Sequence, residues 1–208
     1  MTDPLSIERI VLSFAQDWRL NEAVLAVPGF ATPKLRRLLN AICDFDGCNY
    51  LEVGTLHGAS LIAAAWNNKG NFCGIDNFSQ FGGDLKTLQD NLRKFENEYK
   101  VRTIVSSGTV AVDYSVQHGP QDVNVLFYDA HHSEEATRDT MIRLSPILAD
   151  RFILIVDDWS WIGPRRGTEA AIAANGWRVL LKIEVNDNYN SCGWGVGVCV
   201  ILAEKGNA

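Results

Sequence analysis

The spacing of apolar and polar positions changes several times along the chain, and each change predicts an element. From Ser6 to Trp18 the apolar residues Ile7, Ile10, Val11 and Phe14 recur at helical spacing, with Ser6 placed as N-cap. Pro28-Gly29 breaks the chain, and Thr32-Pro33 opens a second helix to about Cys43, with threonine at the cap and proline at the first helical position. Beyond it, short apolar runs alternate with longer segments. The runs Asn49–Val53, Asn71–Asp76, Val101–Ser106, Val123–Asp129 and Arg151–Asp157 predict strands. The segments Ala59–Trp66, Asp84–Tyr99, Thr109–Gln117, Glu134–Leu148 and Arg166–Asn175 predict helices. Phe152–Val156 is apolar without alternation, as expected of a parallel strand covered on both faces. The last two runs, Trp177–Val185 and Trp194–Leu202, have only a Gly/Asn/Asp-rich connection between them, so they are expected to pair antiparallel.

This alternation predicts an α/β fold: a Rossmann-like, seven-stranded, mostly parallel sheet with a terminal antiparallel pair and helices on both faces. The expected organisation is one domain over residues 1–208, a helical N-terminal extension (1–45) before the core (46–208). A chain of 208 residues is long enough for a sizeable core, and 47% hydrophobic with 21% charged residues is ordinary for a globular protein. The net charge of −6 argues against nucleic acid as a partner, because phosphate binding needs a basic face. No apolar run is long enough to span a membrane, and Met1-Thr2-Asp3-Pro4 does not open a signal peptide. The five cysteines are odd in number and form no C-x-x-C pair, which reads as reduced thiols in a cytoplasmic protein.

The most informative stretch is Leu51-Glu52-Val53-Gly54-Thr55-Leu56-His57-Gly58-Ala59-Ser60. A strand ends in an acidic residue and a glycine, a second glycine follows, and a helix opens. Glycine lets the backbone turn and approach a ligand, and a helix N-terminus offers unpaired N–H groups. The pattern is E-x-G-x-x-x-G, not the G-x-G-x-x-G of a dinucleotide site, and a carboxylate at Glu52 suits a cationic group better than a pyrophosphate. The next strand ends in Asp76, followed by Asn77, and a carboxylate there can accept both hydroxyls of a ribose. The glycine stretch resembles motif I of the class I S-adenosylmethionine-dependent methyltransferases, and the architecture resembles theirs from roughly Thr32 to Leu202. The resemblance implies an S-adenosylmethionine site built from Glu52, Gly54, Thr55, Gly58 and Ser60, with Asp76 and Asn77 at the ribose. It places the adenine near Ser107 and brings Asp129 to the same site.

Two further strand ends carry acids: Tyr128-Asp129-Ala130-His131-His132 and Val156-Asp157-Asp158-Trp159. Neighbouring strands would bring Asp129, Asp157 and Asp158 together, where protonation or a cation must relieve their repulsion. A hard divalent ion such as Mg²⁺ is the simplest solution. This arrangement resembles the metal site of cation-dependent O-methyltransferases of the catechol and macrocin/novobiocin sugar types. Asp157-Asp158-Trp159 through Gly163-Pro164-Arg165-Arg166 looks especially like the sugar type. The implied activity is methyl transfer to a hydroxyl of a small polyhydroxylated or aromatic molecule, with Asp129 in the catalytic site and His132 as general base. His131 is the rival base. Trp159 and Trp161 are candidates for an aromatic wall. A metal-free methyltransferase and an NAD-dependent oxidoreductase are the alternatives, and the N-terminal helix is able to pack on a second subunit.

Overall fold

The structure, a computed structural model, describes residues 3–15, 19–96, 100–105 and 119–206. Three helical segments lead in: α1 (Ile7–Ser13), α2 (Glu22–Leu25) and α3 (Pro33–Ile42). Each starts on the cap its sequence supplies: the side chains of Ser6, Asn21 and Thr32 accept from the N–H groups of Arg9, Val24 and Leu35. The chain continues as β1 (Cys48–Val53), α4 (Ala59–Ala65), β2 (Gly70–Asp76), α5 (Leu85–Lys94), β3 (Val101–Val105) and β4 (Val123–Tyr128). It ends with α6 (Glu134–Leu144), β5 (Leu148–Asp157), α7 (Ile162–Asn175), β6 (Arg178–Val185) and β7 (Val198–Glu204).

The seven strands form one sheet in the order β3-β2-β1-β4-β5-β7-β6. β1 to β5 run parallel, and β7 lies antiparallel between β5 and β6. The uninterrupted apolar run of β5 serves both faces. Phe152, Leu154 and Val156 pack with Met141 and Leu144 of α6, while Ile153 and Ile155 pack with Leu35, Leu38 and Leu39 of α3 and Leu61 of α4. All five of these β5 residues are fully buried. Each contributes about 1.5–3 kcal/mol of burial, which makes β5 the anchor of the sheet. A third cluster joins Val24 of α2, Ile62 and Ala63 of α4, and Leu88 and Leu92 of α5.

Several element ends differ from the sequence expectation. The helix expected to reach Leu148 stops at Leu144, since Pro146 has no N–H to extend it; a short 3₁₀ turn (Ser145–Ile147) follows and β5 starts at Leu148. The helix expected from Arg166 already begins at Ile162, with Pro164 in the first turn, where a missing N–H costs nothing. The last strand starts at Val198, not Trp194, and residues 194–197 belong to the preceding loop. α1 ends at Ser13 and α5 at Lys94, short of the expected Trp18 and Tyr99; residues 16–18 and 97–99 lie outside the described residues. So does the helix expected over 109–117. Among the described residues no helix is long and apolar enough to cross a membrane.

Strand order reverses at β1, which has β2 on one side and β4 on the other. In sheets of this kind the crevice at such a switch point, outside the carboxyl ends of the strands, is where ligands sit.

Candidate functional site

A cleft of about 620 Å³ opens at that switch point. Its floor is where β1 turns into α4. The turn is held across the sheet: Gly54 N–H donates to the Ile75 carbonyl (2.9 Å), and Asp129 N–H donates to the Val53 carbonyl (2.9 Å). Gly54 has φ +96°, and a Cβ there would lie 1.7 Å from the Asp129 carbonyl oxygen. This glycine is demanded by the close approach of β4. Gly58, at φ +86°, does not line the cleft; a Cβ there would lie 2.5 Å from Leu88 Cδ1, so it serves the packing of α5.

Glu52 is also set back. Its carboxyl is fully buried behind the turn and accepts from Tyr50 Oη (2.6 Å) and Ser60 Oγ (2.9 Å). It thereby ties β1 to the first turn of α4 and stays off the cleft wall, because both its oxygens already have neighbours inside the protein. Burial pushes its pKa up to about 8, against the opposing hydrogen bonds from Tyr50 and Ser60. The raised value has a sign that can be tested. Below the ordinary 4.5 the folded and unfolded chains both keep this proton and its contribution to stability is complete; that contribution is lost as pH rises towards about 8. Glu52→Gln is therefore expected to flatten the fall in stability between about pH 5 and pH 8, measured as urea midpoints across that range. Asp129 adds a slope of the same sign in both proteins, so a variant as pH-sensitive as the wild type would show that Glu52 is not the source.

Asp76 holds the turn from the other side. One carboxylate oxygen accepts from Leu56 N–H (2.6 Å) and the other from Phe78 N–H (2.6 Å), which locks the glycine turn to the loop after β2. Gly54, Thr55, Ser60, Asp76 and Asn77 all line the cleft. Ser107 lies outside the described residues.

The opposite wall carries the acids. Asp129 follows β4, and Asp158 follows β5 in a left-handed conformation (φ +54°), which costs a non-glycine residue about 1 kcal/mol. His132 Nε2 lies 2.8 Å from Asp158 Oδ2, and this contact raises the imidazole pKa. Burial, then the charge of Asp158, pushes the Asp129 carboxyl up to about 7. One ligand atom from each of Asp129, His132 and Asp158 falls within 4.8 Å of the others. Asp157, expected as the third ligand, stands outside this group and off the cleft wall. Its carboxyl is pushed far up by burial and by the charges of Asp129 and Asp158. The left-handed residue explains the split: alternation puts Asp157 on the Ile153–Ile155 side, and the turn at Asp158 redirects the next side chain into the cleft.

Of the two histidines, both line the cleft, and it is His132 that meets Asp158. His131 is exposed at the start of α6, its Nδ1 accepting from Ser133 N–H (3.2 Å). The two tryptophans also part. Trp161 lines the cleft, edge-on to the His132 ring at 4.7 Å. Trp159 is fully buried, with the Arg165 and Lys182 cations over its ring and Nε1 donating to Glu184 (3.0 Å). Arg165 is spent on this stack and on Asn186, and does not reach the cleft.

Sequence reasoning missed three parts of the site. Asp139, Thr140 and Arg143 line the cleft from α6, where a polar helix face reads as solvated surface. Asp187 is 4% exposed and accepts from Ser191 Oγ (2.6 Å) and Trp194 N–H (2.7 Å), among others. Burial alone would raise its pKa, but these hydrogen bonds hold it well below the carboxylate range. The loop it organises carries the carbonyls of Val196 and Gly197 that accept from Ser160 and Trp159, next to Asp158. Arg36, also 4% exposed, shapes the turn that carries Phe30 to the cleft.

The methyltransferase-domain family matches residues 51–159, just over half of the chain. No curated protein matches it. Among solved structures, an O-methyltransferase from Bacillus cereus, crystallised with SAH, aligns with TM-score 0.67 at 15% identity, covering 99% of this chain and 92% of that one. A methyltransferase from Geobacter sulfurreducens aligns with TM-score 0.59 at 17% identity, covering 82% and 78%. TrmN from Thermus thermophilus aligns with TM-score 0.63 at 17% identity; 88% of this chain is covered, and the chain spans 52% of that protein. At these identities the likeness is one of fold.

Proposed function

The chain belongs to the methyltransferase-domain family, and from that premise we propose that it moves the methyl group of S-adenosylmethionine to a hydroxyl oxygen of a small molecule. One observation carries the reading: a single cleft presents the glycine turn and Asp76 on one wall and Asp129, His132 and Asp158 on the other. Each Asp76 oxygen accepts one backbone N–H and keeps lone-pair capacity, so the carboxylate can also take the ribose hydroxyls. His132 takes the hydroxyl proton. Asp158, accepting from Nε2–H, selects the tautomer whose Nδ1 is the free base and stabilises the imidazolium that forms. Holding the acceptor oxygen in line with the methyl group supplies much of the rate. The net charge of −6 and the acids of the cleft favour a small hydroxylated acceptor over a nucleic acid.

Asp129 and Asp158 fit a divalent cation: two carboxylates that repel each other at a cleft wall, one of them raised to about 7. They would hold Mg²⁺ with oxygen ligands, whereas His132 is the poorer donor for that ion and stays available as base. When bound, the cation polarises the acceptor oxygen and lowers its pKa. The 2.8 Å contact of His132 with Asp158 also supports a second reading, transfer by the His–Asp pair without metal.

Calorimetry separates these readings. The protein is expected to bind S-adenosylhomocysteine and not NAD; the reverse would end the methyltransferase reading. Mg²⁺ titrated into the S-adenosylhomocysteine complex is expected to bind wild type and to lose at least about tenfold in affinity with Asp158→Ala. Wild type that binds S-adenosylhomocysteine but no cation leaves the metal-free reading standing.

A further inference from the structure

Two aromatic side chains stand where the cleft meets solvent. Phe30, in the turn before α3, and Phe81, in the loop after β2, both line the cleft, yet they are 74% and 66% exposed. Their ring centroids are 5.3 Å apart and their planes cross at 71°, an edge-to-face contact. Neither ring belongs to a core cluster. An exposed aromatic pair that joins two loops across the rim of a cleft adds little to the core and much to what the cleft can retain.

The two sides are built differently. The Phe30 side is fixed: Arg36 gathers the carbonyls of Leu25, Val27, Gly29 and Ala31, and Gly29 sits so close to Ala59 that a Cβ would meet its Cβ at 2.6 Å. The Phe81 side is strained: Phe78 and Phe81 both adopt left-handed conformations (φ +53° and +55°), with Gly82 at φ +69° beside them. Its links to the site are the Asp76 contact to Phe78 N–H and a 3.3 Å contact between His57 Nε2 and the Gly82 carbonyl. One jaw is held by a buried guanidinium and the other sits on strained backbone.

We propose that Phe30 and Phe81 are cofactor-holding residues: a clasp that parts to admit S-adenosylmethionine and closes over it, the rings covering the bound ligand from the solvent side. The inference rests on the cofactor reading above. It makes Phe81 the moving ring, carried on the same loop that Asp76 ties to the glycine turn, so that occupation of the turn and closure of the rim are linked through one carboxylate.

Stopped-flow kinetics with S-adenosylhomocysteine test it on wild type, Phe30→Ala, Phe81→Ala and the double variant. Both rings are on the surface, so thermal unfolding should stay near wild type. Each single variant is expected to speed dissociation roughly three- to tenfold, the range an aromatic pair commands, and to speed association as well, since the pair must part for entry. The double variant is expected to match the faster single one, because one contact is removed twice. Dissociation within twofold of wild type in both single variants would overturn the clasp. So would rate increases that multiply in the double variant, since these describe two independent contacts. Failure of wild type itself to bind S-adenosylhomocysteine overturns the cofactor reading and the clasp with it, and is told apart by appearing without any substitution.

Discussion

Gly54→Ala is expected to destabilise the protein by about 4 kcal/mol and to abolish S-adenosylhomocysteine binding. Two costs add. At φ +96° an alanine is forced into a backbone region that costs about 1–2 kcal/mol. Its Cβ would also sit 1.7 Å from the Asp129 carbonyl oxygen and 2.6 Å from the carbonyl carbon, and backbone cannot rotate away as a side-chain tip can. Overpacking of this kind costs about 1–3 kcal/mol. Relief requires the end of β4 to move off β1, breaking the Asp129 N–H to Val53 bond and displacing Asp129 from the cleft. Gly47→Ala is the matched control: φ is +86°, but no atom lies within 4 Å of the added Cβ. It should show the conformational cost alone, about 1–2 kcal/mol, with binding intact. Urea unfolding and calorimetry of the two variants decide it. Equal stabilities would mean that Gly54 is needed for its backbone angle and not for the approach of β4.

The same glycine shows what the sequence made legible. The alternation of strands and helices, the uninterrupted apolar run of β5 and the helix-free connection between the last two strands each follow from local periodicity, and all three appear in the sheet. Less legible was why a residue occupies a motif. Gly54 and Gly58 look equivalent in one dimension, yet the first yields to a neighbouring strand and the second to Leu88, thirty positions away in the chain. Two positions before Gly54, Glu52 has the place of a ligand group in the sequence, whereas its partners in the structure are Tyr50 and Ser60, and only the orientation of a buried strand residue decides between them. Asp157 and Asp158 form one acidic pair in the sequence, which shows adjacency and not the left-handed residue that separates their directions.

Residues whose partners are backbone atoms leave the least trace in the sequence. Asp187 lies in a stretch of Asn, Ser and Gly that reads as a solvated turn, and its value comes from N–H groups that face it only once the loop has closed. The aromatic pair of Phe30 and Phe81 needs two loops separated by two helices and two strands to meet. Periodicity carries no information on such contacts, because each half is irregular.

Arg36→Met is the strongest case of this class, with an expected loss of about 3–5 kcal/mol, the cost of leaving several buried carbonyls without their donors. In the amphipathic pattern of α3 an arginine reads as a solvent-facing position, but this one is 4% exposed. Its Nε donates to the Ala31 carbonyl (2.8 Å), and its two terminal nitrogens donate to those of Leu25 (3.0 Å), Val27 (2.8 Å) and Gly29 (3.3 Å). Burial lowers the guanidinium pKa, and four carbonyl dipoles solvate the charge in place of water. Methionine keeps the apolar stem and removes every donor, so the turn from Leu25 to Ala31 loses its centre while its carbonyls lose their partners. Lysine is no substitute: its compact ammonium lacks the planar fork that reaches four acceptors at once. In a domain of this size 3–5 kcal/mol corresponds to a fall of roughly 6–20 °C in Tm. Because this turn supports Phe30, Arg36→Met should also weaken S-adenosylhomocysteine binding beyond Phe30→Ala. A variant that melts within about 2 °C of wild type would mean that the turn holds its shape without the guanidinium.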